Sequence, residues 1–303
     1  MFYVFHQFIA WFSQRIRLRM QFAIGGSVIV LATLCAESDS QLEIRANPLL
    51  SEGYVHLQAG QLDQALLAFD QVLQTDADDL SARLGQAMIY AGQERHQDAF
   101  IAYDSIVRDH PKYRMAWHAR GLAAFNLEDF DTALNSFQMA TMDQPVNGYF
   151  YESLGWVYMC LGDFAAAAAS AEEASKMYAY EGETSIYSLL IGYFSYHELG
   201  DRVNALRMLK YANRNKPLNQ WPAPVIDYVS KTIDQSELIS HMTNRAQETE
   251  AHTYIGLHLR LLGQHDAANQ HFNWVSRHGD PKVFEYTLAR AFHLQTNFAA
   301  IEP

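Results

Sequence analysis

The chain has 303 residues, 49% of them hydrophobic and 18% charged, with a formal net charge of −12. That length supports a packed core, and two cysteines rule out a disulfide scaffold. The acidic balance argues against nucleic acid, polyphosphate and bare anionic lipid as main partners, since each demands a concentrated basic face.

The N-terminus stands apart from the rest. Residues 1–36 hold Arg15, Arg17 and Arg19 and no acid, so the remainder carries 19 basic against 34 acidic side chains. Met20–Ala36 then runs without a charge. A basic flank before a short apolar run is the pattern of a secretory signal or an N-terminal membrane anchor, with the chain beyond it sent across the membrane. Three outcomes fit: lipidation at Cys35, cleavage after Ala36, or an uncleaved anchor. Leu34 stands where a lipoprotein peptidase prefers a small residue, and both Met1 and Met20 serve as a start. Residues 37–45 read as a linker. Cys160, the other thiol, has no flanking His or basic cluster and reads as a small apolar helix residue.

From residue 46 the chain repeats itself. Ala65, Ala99, Ala133 and Ala167 are spaced by 34 residues, and other columns march in step. Gly53, Ala87, Gly121 and Gly155 are small; Phe69, Tyr103 and Phe137 are aromatic; Pro111 and Pro145 close their repeats. Each unit reads as two helices. In residues 114–147, Trp117, Gly121 and Ala124 recur at helical spacing, a turn falls at Glu128-Asp129, and Phe130, Ala133, Phe137 and Ala140 form a second stripe. Small residues let two helix backbones approach closely while aromatic rings fill the gaps. One such pair cannot bury its own apolar face, so the units must stack.

Trp117, Gly121, Phe130, Ala133, Phe137, Ala140 and Pro145 resemble the tetratricopeptide repeat (TPR) in identity and spacing. The resemblance extends to residues 46–79, 80–113, 148–181, 186–219 and 249–282. It implies an all-α fold, a right-handed α-solenoid of about six helix pairs. Residues 46–219 hold the first five units. Residues 220–248 break the period: Trp221-Pro222-Ala223-Pro224 begins non-helically, Val225–Lys231 reads as a short helix, and Asp234 with Glu237 forms a capping box that starts another at Gln235. The sixth unit and a capping helix, with Phe284, Leu288, Ala291 and Phe292 on one stripe, occupy 249–294, and 295–303 read as a frayed tail. The Trp-Pro segment, the Asp-x-x-Glu helix, Glu250–Gly256 and Phe284-Glu285-Tyr286 are similar to the C-terminal region of bacterial exported TPR lipoproteins of the new lipoprotein I type. That similarity implies a periplasmic or membrane-anchored adaptor joining cell-wall hydrolases to a processing protease.

Catalytic signatures are not found. The sequence holds no phosphate-cradling Gly loop, zincin helix or nucleophile elbow. His265 with His271, and His252 with His258, are six apart and fall on different helix faces. His197-Glu198 lacks the second His of a zinc helix. Asp78-Asp79 and Glu172-Glu173 read as solvated. The expectation is a non-enzymatic scaffold without metal or cofactor. By the TPR resemblance its partners are proteins or peptides, bound in a concave groove lined by the first helix of each unit. The inward positions are Tyr54, Leu57, Leu84, Met88, His118, Leu122, Phe125, Tyr149, Glu152, Trp156, Met159, Tyr187, Leu190 and Phe194. An apolar stripe of this kind reads as a peptide or helix groove. The clamp that some TPR domains use for a C-terminal carboxylate is disfavoured, because Leu50, Tyr54, Leu84 and Met88 stand at its positions. A pilus or secretion-assembly factor, or a substrate-positioning subunit of an enzyme complex, are the rival readings.

Overall fold

The computed structural model describes residues 47–142, 147–218 and 220–299, with side chains to Gln295. The basic and apolar N-terminal segment, Cys35 and Pro145 lie outside the described residues. No described helix is long and apolar enough to cross a membrane. Fifteen helices make up the described residues, and the chain divides into two compact units at Leu127/Glu128.

The first unit holds α1 (Pro48–Gln58), α2 (Leu62–Thr75), α3 (Leu80–Gly92), α4 (His96–Asp109) and α5 (Arg114–Asn126). Short polar residues begin two of its helices, α1 and α3, by accepting orphan backbone N–H groups. Asn47 Oδ1 accepts from Leu49 and Leu50, and Asp79 Oδ1 accepts from Ala82 at 2.7 Å. The core forms around Phe69, which α2 pushes between α1 and α3. Gly53 on one side and Gly85 on the other present bare backbone to its ring. A Cβ at Gly53 would lie 2.6 Å from Phe69 Cε1, and one at Gly85 2.3 Å from Cε2. Tyr103, Ile106 and Val107 fill the corresponding space between α3, α4 and α5.

The second unit holds α6 (Phe130–Thr141), α7 (Gly148–Leu161), α8 (Phe164–Tyr180), α9 (Ile186–Glu198) and α10 (Arg202–Asn215). Two short helices follow, α11 (Ala223–Val229) and α12 (Gln235–Ser240), then α13 (Arg245–Leu261), α14 (His265–His278) and α15 (Phe284–Ala299). Asp129, Asp163, Asp201, Asp234 and Asn244 cap their helices through the side chain. The short helix expected from Val225 begins two residues earlier, behind Pro222. It stops at Val229 because Lys231 turns left-handed at φ 61°. The sixth pair likewise starts at Arg245 rather than 249, capped by Asn244.

The 34-residue period is visible in the backbone as well as in the side chains. Between the two helices of the first four pairs stand Gly60, Glu94, Glu128 and Gly162, all left-handed, with φ of 72°, 61°, 61° and 76°. A residue with a Cβ resists that conformation, so Glu94 and Glu128 are strained where the glycines are not.

Candidate functional site

The expected groove residues of the first unit prove to be partly interlocked with the core. Tyr54 is half-buried, its ring edge-on to Phe69 at 5.0 Å and its hydroxyl donating to the Ser81 carbonyl at 2.8 Å. Met88 packs on the same cluster, and Leu84 packs on the cluster of Tyr103. Leu122 is half-buried, whereas Leu57, Phe125 and His118 are buried. Burial alone pushes the His118 imidazole down to about 3, so it is neutral near pH 7.

In the second unit the inner helices are covered by the chain itself. The expectation of an open groove there is corrected: Trp156 is only 2% exposed and lies flat against Phe284 of α15, ring centroids 5.7 Å apart. Met159, Leu190 and Phe194 are buried, and Phe194 stacks on Tyr254 of α13 at 5.9 Å. Helix α15 packs on α7, α13 and α14, and α9 packs on α7 and α13. Phe292 carries the same closure outward, stacking on Phe272 at 5.5 Å and on Phe164 at 6.5 Å. Arg290, two residues before Phe292 on α15, pairs with Glu128, and Gln295 Nε2 reaches the Cys160 carbonyl at 2.9 Å. An apolar stripe at helical spacing thus marks an inter-helix surface, whose occupant here is the protein's own C-terminal helix.

Three carboxyl groups are buried within this closure. Glu152 on α7 accepts from the hydroxyls of Ser185 and Ser188, the latter at 2.6 Å. Glu250 on α13 accepts from Trp221 Nε1 at 2.6 Å and from the half-buried Tyr187 hydroxyl at 2.9 Å. Glu285 on α15 accepts from the Tyr254 hydroxyl at 2.7 Å. Burial is the largest influence on each and raises its pKa. Glu285 adds repulsion at Glu250, and Glu152 adds it at Glu285, which is pushed up to about 7. Tyr149 next to this group is half-buried, and its hydroxyl is raised far above its ordinary range by burial and then by Glu152. The network fastens α7, α9, α13 and α15 through satisfied polar groups. Sequence periodicity did not find it, because its members come from residues 152 to 285.

The outer helix α10 carries a feature that the sequence reading overlooked although the signal was local. Residues 202–216 contain Arg202, Arg207, Lys210, Arg214 and Lys216 and no acid, in a chain that is otherwise strongly acidic. Val203 is 79% exposed and Leu206 60%, and both share a face with Arg207, Lys210 and Arg214 by helical spacing. Arg207 pairs with Glu172 and Lys216 with Asp227. Arg202, Lys210 and Arg214 are exposed. Among the described residues, no group of three or more His, Cys, Asp or Glu side chains converges on one point.

Comparison with known proteins agrees with the architecture. No curated protein matches the sequence. A tetratricopeptide repeat protein from Parabacteroides merdae ATCC 43184 superposes with a TM-score of 0.58 at 15% identity, covering 84% of this chain and 99% of its own. YrrB, a TPR protein with an unusual peptide-binding site, superposes at 0.52 with 17% identity over 65% of this chain and 99% of its own. MamA gives 0.51 at 20% identity over 59% and 93%. These likenesses concern the fold. The family model for the tetratricopeptide repeat matches residues 50–114 and 118–185. Those two stretches therefore match the tetratricopeptide repeat, and the described residues have the all-helical, paired architecture of an α-solenoid of that type.

Proposed function

We propose that this chain is a non-enzymatic protein-binding scaffold of the bacterial cell envelope, and that it holds an acidic partner segment on the outer face of α10. The observation that carries the reading is the charge reversal on that helix. Four cations without an acid (Arg202, Arg207, Lys210 and Arg214, of which Arg207 is paired with Glu172), interleaved with exposed Val203 and Leu206, fit a partner helix that alternates carboxylates with apolar residues. An anionic bilayer is the poorer match. It would face the whole protein at −12, whereas a short acidic segment touches α10 alone. The inner face of the second unit is the poorer surface too, since α15 already lies on it.

Export is supported by Arg15–Arg19 preceding the uncharged Met20–Ala36. The role of adaptor between cell-wall hydrolases and a processing protease is supported by the similarity of the C-terminal region to the new lipoprotein I type. Affinity capture from an envelope extract tests both, with the wild type beside Lys210→Glu/Arg214→Glu. Hydrolases and a protease should be retained by the wild type in a salt-sensitive manner and lost from the variant at an unchanged thermal midpoint. Equal retention by the variant would exclude α10 as the surface. Pilus secretins among the captured proteins would favour the assembly-factor reading, and binding of phosphatidylglycerol vesicles would favour lipid. Fractionation of the full chain locates it, and a Cys35→Ser change should release it from the membrane fraction only if that cysteine is lipidated.

A further inference from the structure

His252 and His271 are far apart in sequence terms, on α13 and α14, yet their Nδ1 atoms stand 3.0 Å from each other. The ring centroids are 4.9 Å apart, with the planes inclined by 47°. The pairing escapes any reading along one helix, because it joins the two helices of the sixth pair at a separation of 19 residues. We propose that His252 and His271 form a two-imidazole site for a divalent first-row transition-metal ion of the Cu2+, Ni2+ or Zn2+ type.

The separation is that of a chelate. With metal–nitrogen bonds of about 2.0–2.1 Å, two nitrogens on one ion lie roughly 2.9 Å apart at a right angle and roughly 3.3 Å apart at a tetrahedral angle. The observed 3.0 Å falls between them. In the absence of an ion, one Nδ1–H donates to the other Nδ1. Shifting that proton to the far nitrogen of its own ring leaves both Nδ1 lone pairs for the metal, and rotation of the His271 ring converges them. Imidazole nitrogens suit ions of this kind.

The surroundings hold one ring in place and leave the site open. His252 lies flat on Trp274, centroids 3.9 Å apart and planes 12° apart, so its orientation is fixed before an ion arrives. Both histidines are only half-buried, which gives an ion and its water ligands access. His278 directs its Nδ1 to the Trp274 carbonyl at 3.1 Å. The Arg245 guanidinium stands 5.8 Å from the Trp274 ring, and its charge is shared with Glu248 at 3.3 Å. No third His, Cys, Asp or Glu completes a cage among the described residues, so water fills the remaining positions and the affinity is that of a bidentate site.

The test uses the untagged full chain titrated with CuCl2, NiCl2 and ZnCl2, followed by calorimetry and by Trp fluorescence. One equivalent should bind. Cu2+ should quench a component of the fluorescence that disappears in Trp274→Phe. His252→Gln and His271→Gln should each weaken that equivalent tenfold or more, while His265→Gln on the same helix leaves it unchanged. Electron paramagnetic resonance of the Cu2+ form should report two coordinated nitrogens in the wild type and one in His271→Gln, a readout that does not depend on stability. Binding that survives both substitutions would place the ion on other histidines and overturn the assignment, as would a Cu2+ spectrum unchanged by His271→Gln.

Discussion

Gly85→Ala is expected to destabilise the first unit even though alanine is the better helix former. The gain from propensity is about 0.5–1 kcal/mol, because glycine loses more backbone freedom on folding. The opposing effect follows from Phe69. A Cβ at residue 85 would stand 2.3 Å from Cε2 and 2.4 Å from Cζ, where contact requires 3.4 Å or more, so the ring must retreat by over 1 Å. Retreat is blocked on the far side, since Gly53 already approaches the same ring so closely that its own Cβ would lie at 2.6 Å. The phenyl is fully buried with Leu50, Val72 and Ile89 about it. Overpacking of this kind costs about 1–3 kcal/mol, so the net loss is about 1–2 kcal/mol. Urea unfolding of the full chain, read by circular dichroism and by amide exchange within residues 47–127, measures it. Combining Gly85→Ala with Phe69→Leu should lose less than the sum of the single changes, because the smaller side chain vacates the contested space. A Gly85→Ala protein as stable as wild type, or more so, would refute the ring-between-glycines account.

Trp156→Ala should cost about 3–5 kcal/mol in unfolding free energy, since it empties a buried site against Phe284 rather than trimming an exposed anchor; a thermal midpoint near wild type would argue against that contact. Stability of the second unit should decline as pH rises. Glu285 has its folded pKa raised from 4.5 to about 7, so its contribution is fully present below about 4.5 and lost on passing through 7. Glu285→Gln should flatten this dependence and raise the midpoint at pH 8, as thermal melts across pH 4–9 would show. Glu94→Gly should stabilise the protein by about 0.5–1 kcal/mol, because relief of the left-handed strain, about 1–2 kcal/mol, exceeds the added chain entropy. Glu128→Gly should not, because it also removes the partner of Arg290; equal effects in chemical denaturation would contradict the role given to that pair.

The parts of this fold that depend on local spacing could be read from the sequence. Ala65, Ala99, Ala133 and Ala167 are all wholly buried, as a column of helix-crossing residues should be. The aspartates ahead of α6, α8 and α10 cap those helices as their position suggests. Periodicity failed where the decisive partner is remote. It put Trp156 on an inward-facing surface, but the residue opposite comes from α15. The same holds for His252, whose partner His271 is on the returning helix, and for Glu250, which meets a tryptophan from the irregular connector. The positive face of α10 is a different case. It was present in a single window of the sequence and was hidden by averaging charge over the whole chain.

The stacking of Trp156 on Phe284 sets a waiting time during synthesis. The tryptophan leaves the ribosome 128 residues ahead of the ring that covers it. At about 5–20 residues per second that interval is roughly 6–26 s. Through it, α7 and α9 present Trp156, Met159 and Phe194 without their cover from α13 and α15. The nascent second unit therefore keeps an apolar surface uncovered until α15 has been made.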